Sequence, residues 1–328
     1  MRIVYDPRHR RHRPRTELLY GKPVPHPEQP ERVEAIRDAL RGTRWEGSIV
    51  PPRRYDRALA ERVHELAYLD HLRERSGEAA SAGPDHEWFP YTWPHDRSLD
   101  TGTPVMGNTL DAAWRSACVA LTAADALRHG ERAAFALCRP PGHHASAGAA
   151  GGYCYLNNAA IAAAHLLEAG GGEARVAILD LDIHHGNGTQ EIFYASSRVL
   201  YCSIHGHPDW AYPPHTGYGD EQGVGLGAGY TFNQPLPEGT GWPTYSAALE
   251  RALERIARFA PQFLIVSQGF DTFEGDRWGG FHLHADHFGL IGGRLRAAGA
   301  PLLIVLEGGY EPANLAAGSL ALLQGLGQ

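Results

Sequence analysis

Short apolar runs alternate with longer amphipathic segments from about residue 110 to the end of the chain. The runs lack polar interruptions, which is typical of strands buried on both faces. They predict strands at 133–137, 175–180, 199–204, 263–267 and 302–306. The segments between them predict helices at 112–128, 158–169, 243–259 and 286–298, and a further helix ends the chain. Strands alternating with helices indicate an α/β fold whose mostly parallel sheet is covered by helices.

The first third of the chain is less regular. Residues 6–30 are rich in Pro, Arg and His and predict irregular backbone, whereas 30–40 predicts a helix with its apolar side chains on one face. Residues 77–107 carry Gly, Pro, Asp and Trp without periodicity and predict a long loop. Loops of that length inside compact chains are usually functional or disordered.

Composition narrows the class of protein. The 328 residues, 43% hydrophobic and 20% charged, fit one large globular α/β domain. The apolar runs are too short for a membrane helix, and the N-terminus lacks the apolar core of a secretory signal. A net charge of −7 argues against a nucleic-acid partner. The cysteines are widely spaced, which indicates reduced thiols in a cytoplasmic protein and no thiolate zinc cluster; they are Cys118, Cys138, Cys154 and Cys202.

Polar and titratable residues follow five of the predicted strands. In open parallel sheets, ligands bind beyond the carboxyl ends of the strands. We therefore expect these residues to converge at one edge of the sheet. The segments are 138–144, 180–188, 205–207, 267–271 and 307–310.

The segment after the second of these strands has the spacing Asp180-x-Asp182-x-His184. Alternate residues at a strand end project to one side, so these side chains, together with Asp271, could hold a divalent ion such as Zn²⁺ and leave a position open for water. The alternative is a solvated strand end. The apolar run at 176–179 argues against it, because a carboxylate directly after a buried run is desolvated unless it is paired or binds a metal.

Two further groups could act on a substrate. His143 and His144 follow a rigid Pro-Pro-Gly turn, and two imidazoles beside a metal-activated water can divide the roles of general base and acid. Tyr310 follows two glycines, and its hydroxyl could donate to a developing oxyanion. Taken singly, loop histidines in water and a packed tyrosine are the alternatives.

These segments resemble the zinc-dependent histone deacetylase superfamily. The similar segments are 139–145 (RPPGHHA), 151–158 (GGYCYLNN), 180–190 (DLDIHHGNGTQ), 271–274 (DTFE) and 307–310 (EGGY). Within the superfamily, the chain most resembles the bacterial acetylpolyamine amidohydrolases. The segments similar to that subgroup are 16–18 (TEL), 91–94 (YTWP), 102–104 (GTP) and 137–141 (LCRPP).

The resemblance implies an arginase/deacetylase-like fold in a single domain over 1–328, with an eight-stranded, mostly parallel sheet. It implies zinc ligands at Asp182, His184 and Asp271, and a structural K⁺ on Asp180, Ser203 and the backbone carbonyls of Asp182 and His184. It implies His144 as general base and acid, His143 as its electrostatic assistant, and Asp180 and Asn187 as the groups that orient His143 and His144. It also implies that Tyr310 polarises the substrate carbonyl, that the Gly152 carbonyl accepts the amide N–H, and that Tyr153 and Tyr212 line a narrow tunnel.

The resemblance also implies a small cationic acetylamine as substrate. The 77–107 loop resembles an insertion that narrows the entrance and shapes a homodimer in the subgroup. Carboxylates that could attract the amine are Glu17, Asp85, Glu87 and Asp96. Relatives usually have Pro and then a medium-sized residue where this chain has Arg277 and Trp278. Trp278 could block long substrates or stack on a cation.

Several alternatives stay open at this stage. The same chemistry could act on acyl-lysine in a protein or peptide. An arginase-like dimanganese hydrolase would need further Asp and His ligands, which are not found around 180–187. A non-catalytic binder would be favoured by loss of Tyr310 or of a metal ligand, but all are present. A mixed oxygen and nitrogen ligand set would also bind Fe²⁺ or Co²⁺.

Overall fold

The computed structural model describes residues 1–19, 21–90 and 97–327. Its strands are β1 Arg2–Val4, β2 Thr16–Leu19, β3 Lys22–Pro25, β4 Ile49–Val50, β5 Ala133–Ala136, β6 Val176–Asp180, β7 Val199–Gly206, β8 Thr231–Leu236, β9 Phe263–Gln268 and β10 Leu302–Leu306. Its helices are α1 Glu31–Ala39, α2 Leu66–Ala82, α3 Thr109–Arg128, α4 Asn158–Ala169, α5 Asn187–Phe193, α6 Trp242–Phe259, α7 Ala285–Ala297 and α8 Pro312–Leu326.

Eight strands form one sheet in the order β4-β1-β5-β10-β9-β6-β7-β8, and every pair of neighbours in it is parallel. This confirms the predicted eight-stranded parallel sheet. The five strands that the apolar runs predict are contiguous in this order, from β5 to β7. Their carboxyl ends therefore lie side by side, which explains why the polar segments that follow them meet.

Helices cover both faces of the sheet, and successive residues of a strand face opposite layers. In β6, Ala177 and Leu179 pack in a cluster with apolar residues of α1, α6, α7 and α8. Val176 and Ile178 pack on the other face with α3 and α4. Because both faces are buried, the central strands carry apolar residues without alternation.

The N-terminal third differs from the prediction in two places. Residues 6–30 are not irregular throughout, since β2 and β3 pair there as an antiparallel hairpin. The predicted loop at 77–107 is shorter, because α2 continues to Ala82 and ends at Gly83, whose φ of 140° few other residues adopt. Within the described residues, no helix combines the length and the apolar composition that crossing a membrane requires.

Candidate active site

Two carboxylates and one imidazole meet beyond the ends of neighbouring strands. Asp182 and His184 follow β6, and Asp271 follows β9. Nδ1 of His184 lies 3.0 Å from Oδ1 of Asp182 and 3.3 Å from Oδ2 of Asp271. Both carboxylates are fully buried. The three side chains thus present their ligand atoms within 4.8 Å of one another.

This cluster has the properties that a divalent cation requires. Oδ2 of Asp271 is buried and lies 3.3 Å from Nδ1 of His184, without a well-aligned hydrogen bond from the described residues. Two glycines leave room for the carboxylates, since a Cβ on Gly308 would lie 2.1 Å from Asp271 Oδ2 and one on Gly269 would lie 2.3 Å from Asp182 Oδ2. Carboxylate oxygens and imidazole nitrogens both bind Zn²⁺, and three protein ligands leave the fourth position of a catalytic site open. The residues present therefore fit a bound dication.

The charges of the cluster are strongly coupled. Burial and the neighbouring Asp182 raise the pKa of Asp271 to about 7. Burial also opposes ionisation of Asp182, but the positive charges of His143 and His184 outweigh it and hold the pKa of Asp182 below its usual value. Burial alone would lower the pKa of His184, whereas the two carboxylates raise it to about 10. Metal binding needs ionised carboxylates and a neutral imidazole, so a bound cation would displace the protons that these shifts favour.

His143 and His144 follow the Pro-Pro-Gly turn, and their ring centroids lie 4.0 Å apart. Nδ1 of His143 lies 3.1 Å from Oδ2 of Asp180, and Nδ1 of His144 lies 2.7 Å from Oδ1 of Asn187. Both imidazoles are thus held by the groups that the family resemblance implies. Asn187 reaches His144 because it is the first residue of α5, directly after the ligand-bearing segment.

Glu307 fixes the turn that carries the histidine pair, and no sequence argument singled it out for this role. Its Oε2 accepts hydrogen bonds from the backbone N–H groups of Gly142 (2.7 Å) and His143 (3.2 Å). Burial raises the pKa of Glu307 to about 7, against the attraction of the His143 charge. The position of Glu307 at the end of β10, next to β5 in the sheet, is the signal that could have revealed the contact.

Tyr310 is held from two sides by residues that the sequence analysis also missed. The guanidinium carbon of the buried Arg32 lies 4.8 Å from the centre of the Tyr310 ring. Arg32 donates hydrogen bonds to the backbone carbonyls of Glu307 and Gly309. The backbone N–H of Tyr310 donates to Oδ2 of Asp276 at 2.7 Å. These contacts fix the backbone that carries the tyrosine.

A cavity of about 610 Å³ opens onto this cluster. Every residue predicted to contact the substrate lines this cavity, and so do three of the predicted catalytic or metal-binding residues. The predicted substrate contacts are Glu17, Gly152, Tyr153, Tyr212 and Trp278, and the other three are His144, His184 and Tyr310. Asp100 and Arg277 line the same cavity and were not predicted as site residues.

The acidic residues predicted to attract the amine differ in position. Glu17 lies in the cavity wall, where its Oε1 accepts a hydrogen bond from the Tyr153 hydroxyl at 2.9 Å. Asp85 and Glu87 do not line the cavity and instead contact Arg15 in the N-terminal segment. Residues 91–94, which support the subgroup resemblance, and Asp96 lie outside the described residues.

The predicted K⁺ ligands Asp180 and Ser203 are register partners on β6 and β7. Oδ2 of Asp180 accepts hydrogen bonds from His143 and from the Tyr201 hydroxyl. The Ser203 hydroxyl lies 2.7 Å from Nδ1 of His205. Both side chains are fully buried.

Comparison with known proteins gives a consistent result over the whole chain. Residues 26–326 match the histone deacetylase domain family. Acetylpolyamine amidohydrolase 2 of Pseudomonas aeruginosa is 40% identical over 99% of this chain and 98% of its own length. Acetylpolyamine amidohydrolase of Mycoplana ramosa is 37% identical, with 99% of each chain covered. A crystal structure of acetylpolyamine aminohydrolase from Burkholderia pseudomallei superposes with a TM-score of 0.92 at 39% identity, over 100% of this chain and 98% of the other. The chain therefore belongs to the histone deacetylase family, as its motifs predicted.

Proposed function

We propose that this chain is a zinc-dependent amidohydrolase that removes the acetyl group from acetylpolyamines or similar small acetylamines. The observation that carries the proposal is that Asp182, His184 and Asp271 meet, and that His184 lines one cavity together with His144 and Tyr310. These three residues would hold the cation. When bound, such a cation supplies Lewis acidity, which polarises a carbonyl and makes water a stronger nucleophile at neutral pH.

The histidine pair would divide the proton transfers. Burial and the charge of His143 hold the pKa of His144 well below its ordinary value, so His144 is neutral and can accept the proton of the attacking water. Asp180 and Asp182 outweigh burial and raise the pKa of His143 to about 10, so His143 stays cationic and stabilises negative charge. After the water oxygen has bonded to the carbonyl carbon, protonated His144 would deliver its proton to the leaving nitrogen as the C–N bond breaks.

Two further groups would bind the reacting amide. The hydroxyl of Tyr310 would donate a hydrogen bond to the oxyanion that develops on the acetyl oxygen. Burial holds the pKa of this phenol well above its ordinary value, so it keeps the proton that it donates. The carbonyl of Gly152 would accept the amide N–H. The products are acetate and a free amine.

Glu17 supports a cationic substrate. Its side chain is 6% exposed, and its Oε2 is buried without a hydrogen-bond partner among the described residues. Burial raises the pKa of the Glu17 carboxyl, which the hydrogen bond from Tyr153 only partly offsets. An ammonium group in the cavity would supply the missing donor and favour the ionised carboxylate. The relatives named as acetylpolyamine amidohydrolases support the same substrate class.

The experiment is a kinetic panel on metal-analysed protein: acetylputrescine, acetylcadaverine, acetylspermidine and an acetyl-lysine peptide. We expect higher kcat/KM for the acetylamines than for the peptide, because the cavity wall includes the bulky side chains of Trp278 and Arg277, which leave less room for a peptide. Preference for the peptide would favour the acyl-lysine alternative, and no turnover of any substrate would refute the hydrolase. Metal analysis of the purified protein decides between zinc and another dication.

Glu17→Gln is the matched test of the amine site. It should lower kcat/KM for acetylputrescine but leave N-butylacetamide, which has the same chain without the ammonium group, nearly unchanged. Glu173→Gln removes the same charge from an exposed residue outside the cavity and is the control. Equal effects of Glu17→Gln on both substrates would contradict the proposed role of Glu17.

Four finer features belong to the same proposal. The chain would act as a single domain. The register pairing of Asp180 with Ser203 supports a structural K⁺ next to the dication, to be checked by elemental analysis. Four free, buried cysteines support a reducing compartment such as the cytoplasm. The similarity of the 77–107 segment to the insertion of the subgroup supports a homodimer, to be checked by light scattering.

A further inference from the structure

Four carboxylates line the cavity, and two of them, Glu17 and Asp100, differ in how many of their oxygen lone pairs the protein already uses. Oδ2 of Asp100 accepts hydrogen bonds from the Gly152 N–H at 2.7 Å and from the Tyr212 hydroxyl at 2.8 Å. Oδ1 of Asp100 accepts from the Gly102 N–H at 2.9 Å and from the Thr103 hydroxyl at 2.8 Å. A carboxylate has about four lone-pair sites. Asp100 is therefore saturated by protein donors, whereas Glu17 is not.

One of these donors, the Gly152 N–H, comes from a turn with unusual backbone conformation. Gly152 and Tyr153 both have positive φ, 53° and 66°, and a non-glycine residue rarely adopts this conformation. The turn packs closely on a catalytic candidate, since a Cβ on Gly152 would lie 2.1 Å from Cδ2 of His144. Asp100 holds the Gly152 N–H, and Thr103, itself bound to Asp100, accepts the Tyr153 N–H at 3.0 Å.

Tyr212, which also packs against His144, is held by the same carboxylate oxygen. The Tyr212 ring lies edge-on to the His144 ring, with centroids 5.0 Å apart, and its hydroxyl is held by Oδ2 of Asp100. Gly152 and Tyr212 thus both pack against His144 while one oxygen atom binds them together. The segment that carries Asp100 is itself tied to this region, because the Leu99 N–H donates to the Ala150 carbonyl at 2.8 Å.

We propose that Asp100 is a positioning residue: it fixes the Gly152–Tyr153 turn and Tyr212 around His144, and it does not bind the substrate cation. The inference rests on the proposed function, because it assigns Asp100 a part in holding the acetyl amide for hydrolysis. It predicts that Asp100 and Glu17 give different kinetic signatures when each is converted to its amide.

The amide variant is informative because it changes few atoms. In Asp100→Asn, one carboxylate oxygen becomes an NH₂ group that cannot accept a hydrogen bond. Either the pair from Gly152 and Tyr212 or the pair from Gly102 and Thr103 then loses its acceptor, and a buried donor without a partner is destabilising. A small displacement of substrate-positioning groups lowers turnover by up to about 10²-fold.

The experiment compares Asp100→Asn with Glu17→Gln on acetylputrescine and N-butylacetamide, using holoenzyme of known metal content. We expect Asp100→Asn to lower kcat by about 10- to 100-fold on both substrates, so that the ratio of their kcat/KM values stays at the wild-type value. Glu17→Gln should lower that ratio. If Asp100→Asn lowers the ratio as Glu17→Gln does, Asp100 binds the cation and the proposal is wrong. If it leaves kcat unchanged, Asp100 does not position the site and the proposal is also wrong.

A double-mutant cycle with Tyr212→Phe gives a second readout that a general loss of stability would not produce. The Tyr212 hydroxyl and Asp100 share one hydrogen bond, so the effects of the two substitutions on kcat should be less than additive. Additive effects would overturn the link between them. Tyr212→Phe is also the fallback if Asp100→Asn does not fold, because it removes a single bond: an unchanged kcat in this variant would then overturn the proposal.

Failure of the proposed function gives a different pattern. If the wild-type protein cleaves only the acetyl-lysine peptide, the substrate class is wrong, but the loss of kcat and the double-mutant cycle can be measured on that peptide and still decide the role of Asp100. If the wild-type protein cleaves nothing, both inferences fail together.

Discussion

The ring centroids of His143 and His144 lie 4.0 Å apart, but their surroundings shift the pKa values of the two imidazoles in opposite directions. Asp180 and Asp182 overcome burial and raise the pKa of His143 to about 10. Burial, together with the positive charge of His143, lowers the pKa of His144 far below its ordinary value, and its partner Asn187 carries no charge. Two adjacent residues of one type are thus prepared for different roles by a carboxylate behind one and an amide behind the other.

We therefore predict that His144→Ala loses more turnover than His143→Ala. Removing a general base and acid typically costs about 10²- to 10⁴-fold in rate, whereas His143 contributes charge and its loss should cost less. The measurement is kcat on acetylputrescine at equal metal content. His282→Ala, an exposed histidine outside the cavity, is the control. The reverse order of the two variants would show that the proton passes through His143.

Tyr310→Phe should lower kcat by about 10²- to 10³-fold, because it removes a hydrogen-bond donor to the developing oxyanion. Metal content and KM should change little, since the ring, its contact with Arg32 and its backbone bond to Asp276 remain. The control is Tyr194→Phe, at the end of α5 and outside the cavity. Wild-type turnover in Tyr310→Phe would remove the tyrosine from the mechanism.

Asp271→Asn should abolish stoichiometric metal binding, because the variant loses a buried, negatively charged ligand of the three-residue cluster. Elemental analysis after dialysis measures this directly. Asp209→Asn, which lines the cavity but is 73% exposed, should keep its metal. Full metal occupancy in Asp271→Asn would refute the ligand assignment.

Metal uptake should also depend on pH. Without the cation, burial and Asp182 raise the pKa of Asp271 to about 7, so this carboxyl holds a proton at and below neutral pH. Binding must displace that proton and also the proton of His184, whose pKa the two carboxylates raise to about 10, so affinity should fall as the pH decreases from 8 to 6. Calorimetry in buffers of different ionisation enthalpy would count the protons released. Affinity independent of pH between 6 and 8 would contradict the coupling between Asp271 and the metal.

Most of the central fold and much of the candidate site follow from local patterns. Uninterrupted apolar runs identify the five central strands, and the polar residues after them indicate which edge of the sheet carries the chemistry. The short strands β1 and β4 and the edge strand β8 escape such reasoning, because a strand of two or three residues, or one that includes Asn233, Gln234 and Pro235, has no distinctive hydrophobic pattern.

The residues that sequence reasoning missed act through side chains distant in the chain. Arg32 reaches the Tyr310 ring across 278 positions, and Asp100 reaches Tyr212 across 112. No periodicity links such pairs, because tertiary packing alone brings them together. Glu307 was visible in a segment rich in glycine, but its role depends on β10 lying next to β5.

Trp278→Ala should relax substrate selection. The indole lines the cavity, and its Nε1 is buried without a hydrogen-bond partner among the described residues. Truncation removes a bulky ring from the entrance, so kcat/KM for an acetyl-lysine peptide should rise several-fold relative to acetylputrescine. Trp278→Phe, which keeps an aromatic ring, should behave more like the wild type. An unchanged ranking in Trp278→Ala would show that selection lies elsewhere, for example in Glu17.

The last prediction concerns stability and rests on a buried ion cluster beside the site. Oε1 of Glu28 lies 2.7 Å from Arg32 Nη1 and 2.8 Å from Arg139 Nε, and all three side chains are at most 1% exposed. Burial opposes ionisation of Glu28, but Arg139 and Arg32 outweigh it and lower its pKa from 4.5 to about 2.

Because the folded pKa of Glu28 is below its ordinary value, the cluster stabilises the protein fully above pH 4.5 and loses this contribution as the pH falls through about 2. The shift corresponds to about 3 kcal/mol.

Glu28→Gln leaves two buried guanidinium groups without their carboxylate and should destabilise the fold by about 3–5 kcal/mol at pH 7. The difference from wild type should shrink as the pH falls below 4.5, since Glu28 of the unfolded chain then takes up a proton that folding must release. Urea unfolding midpoints at pH 7, 4.5 and 3 measure this, and the exposed Glu31→Gln is the control. A difference that is constant with pH would mean that lost packing, rather than the charge of Glu28, causes the effect.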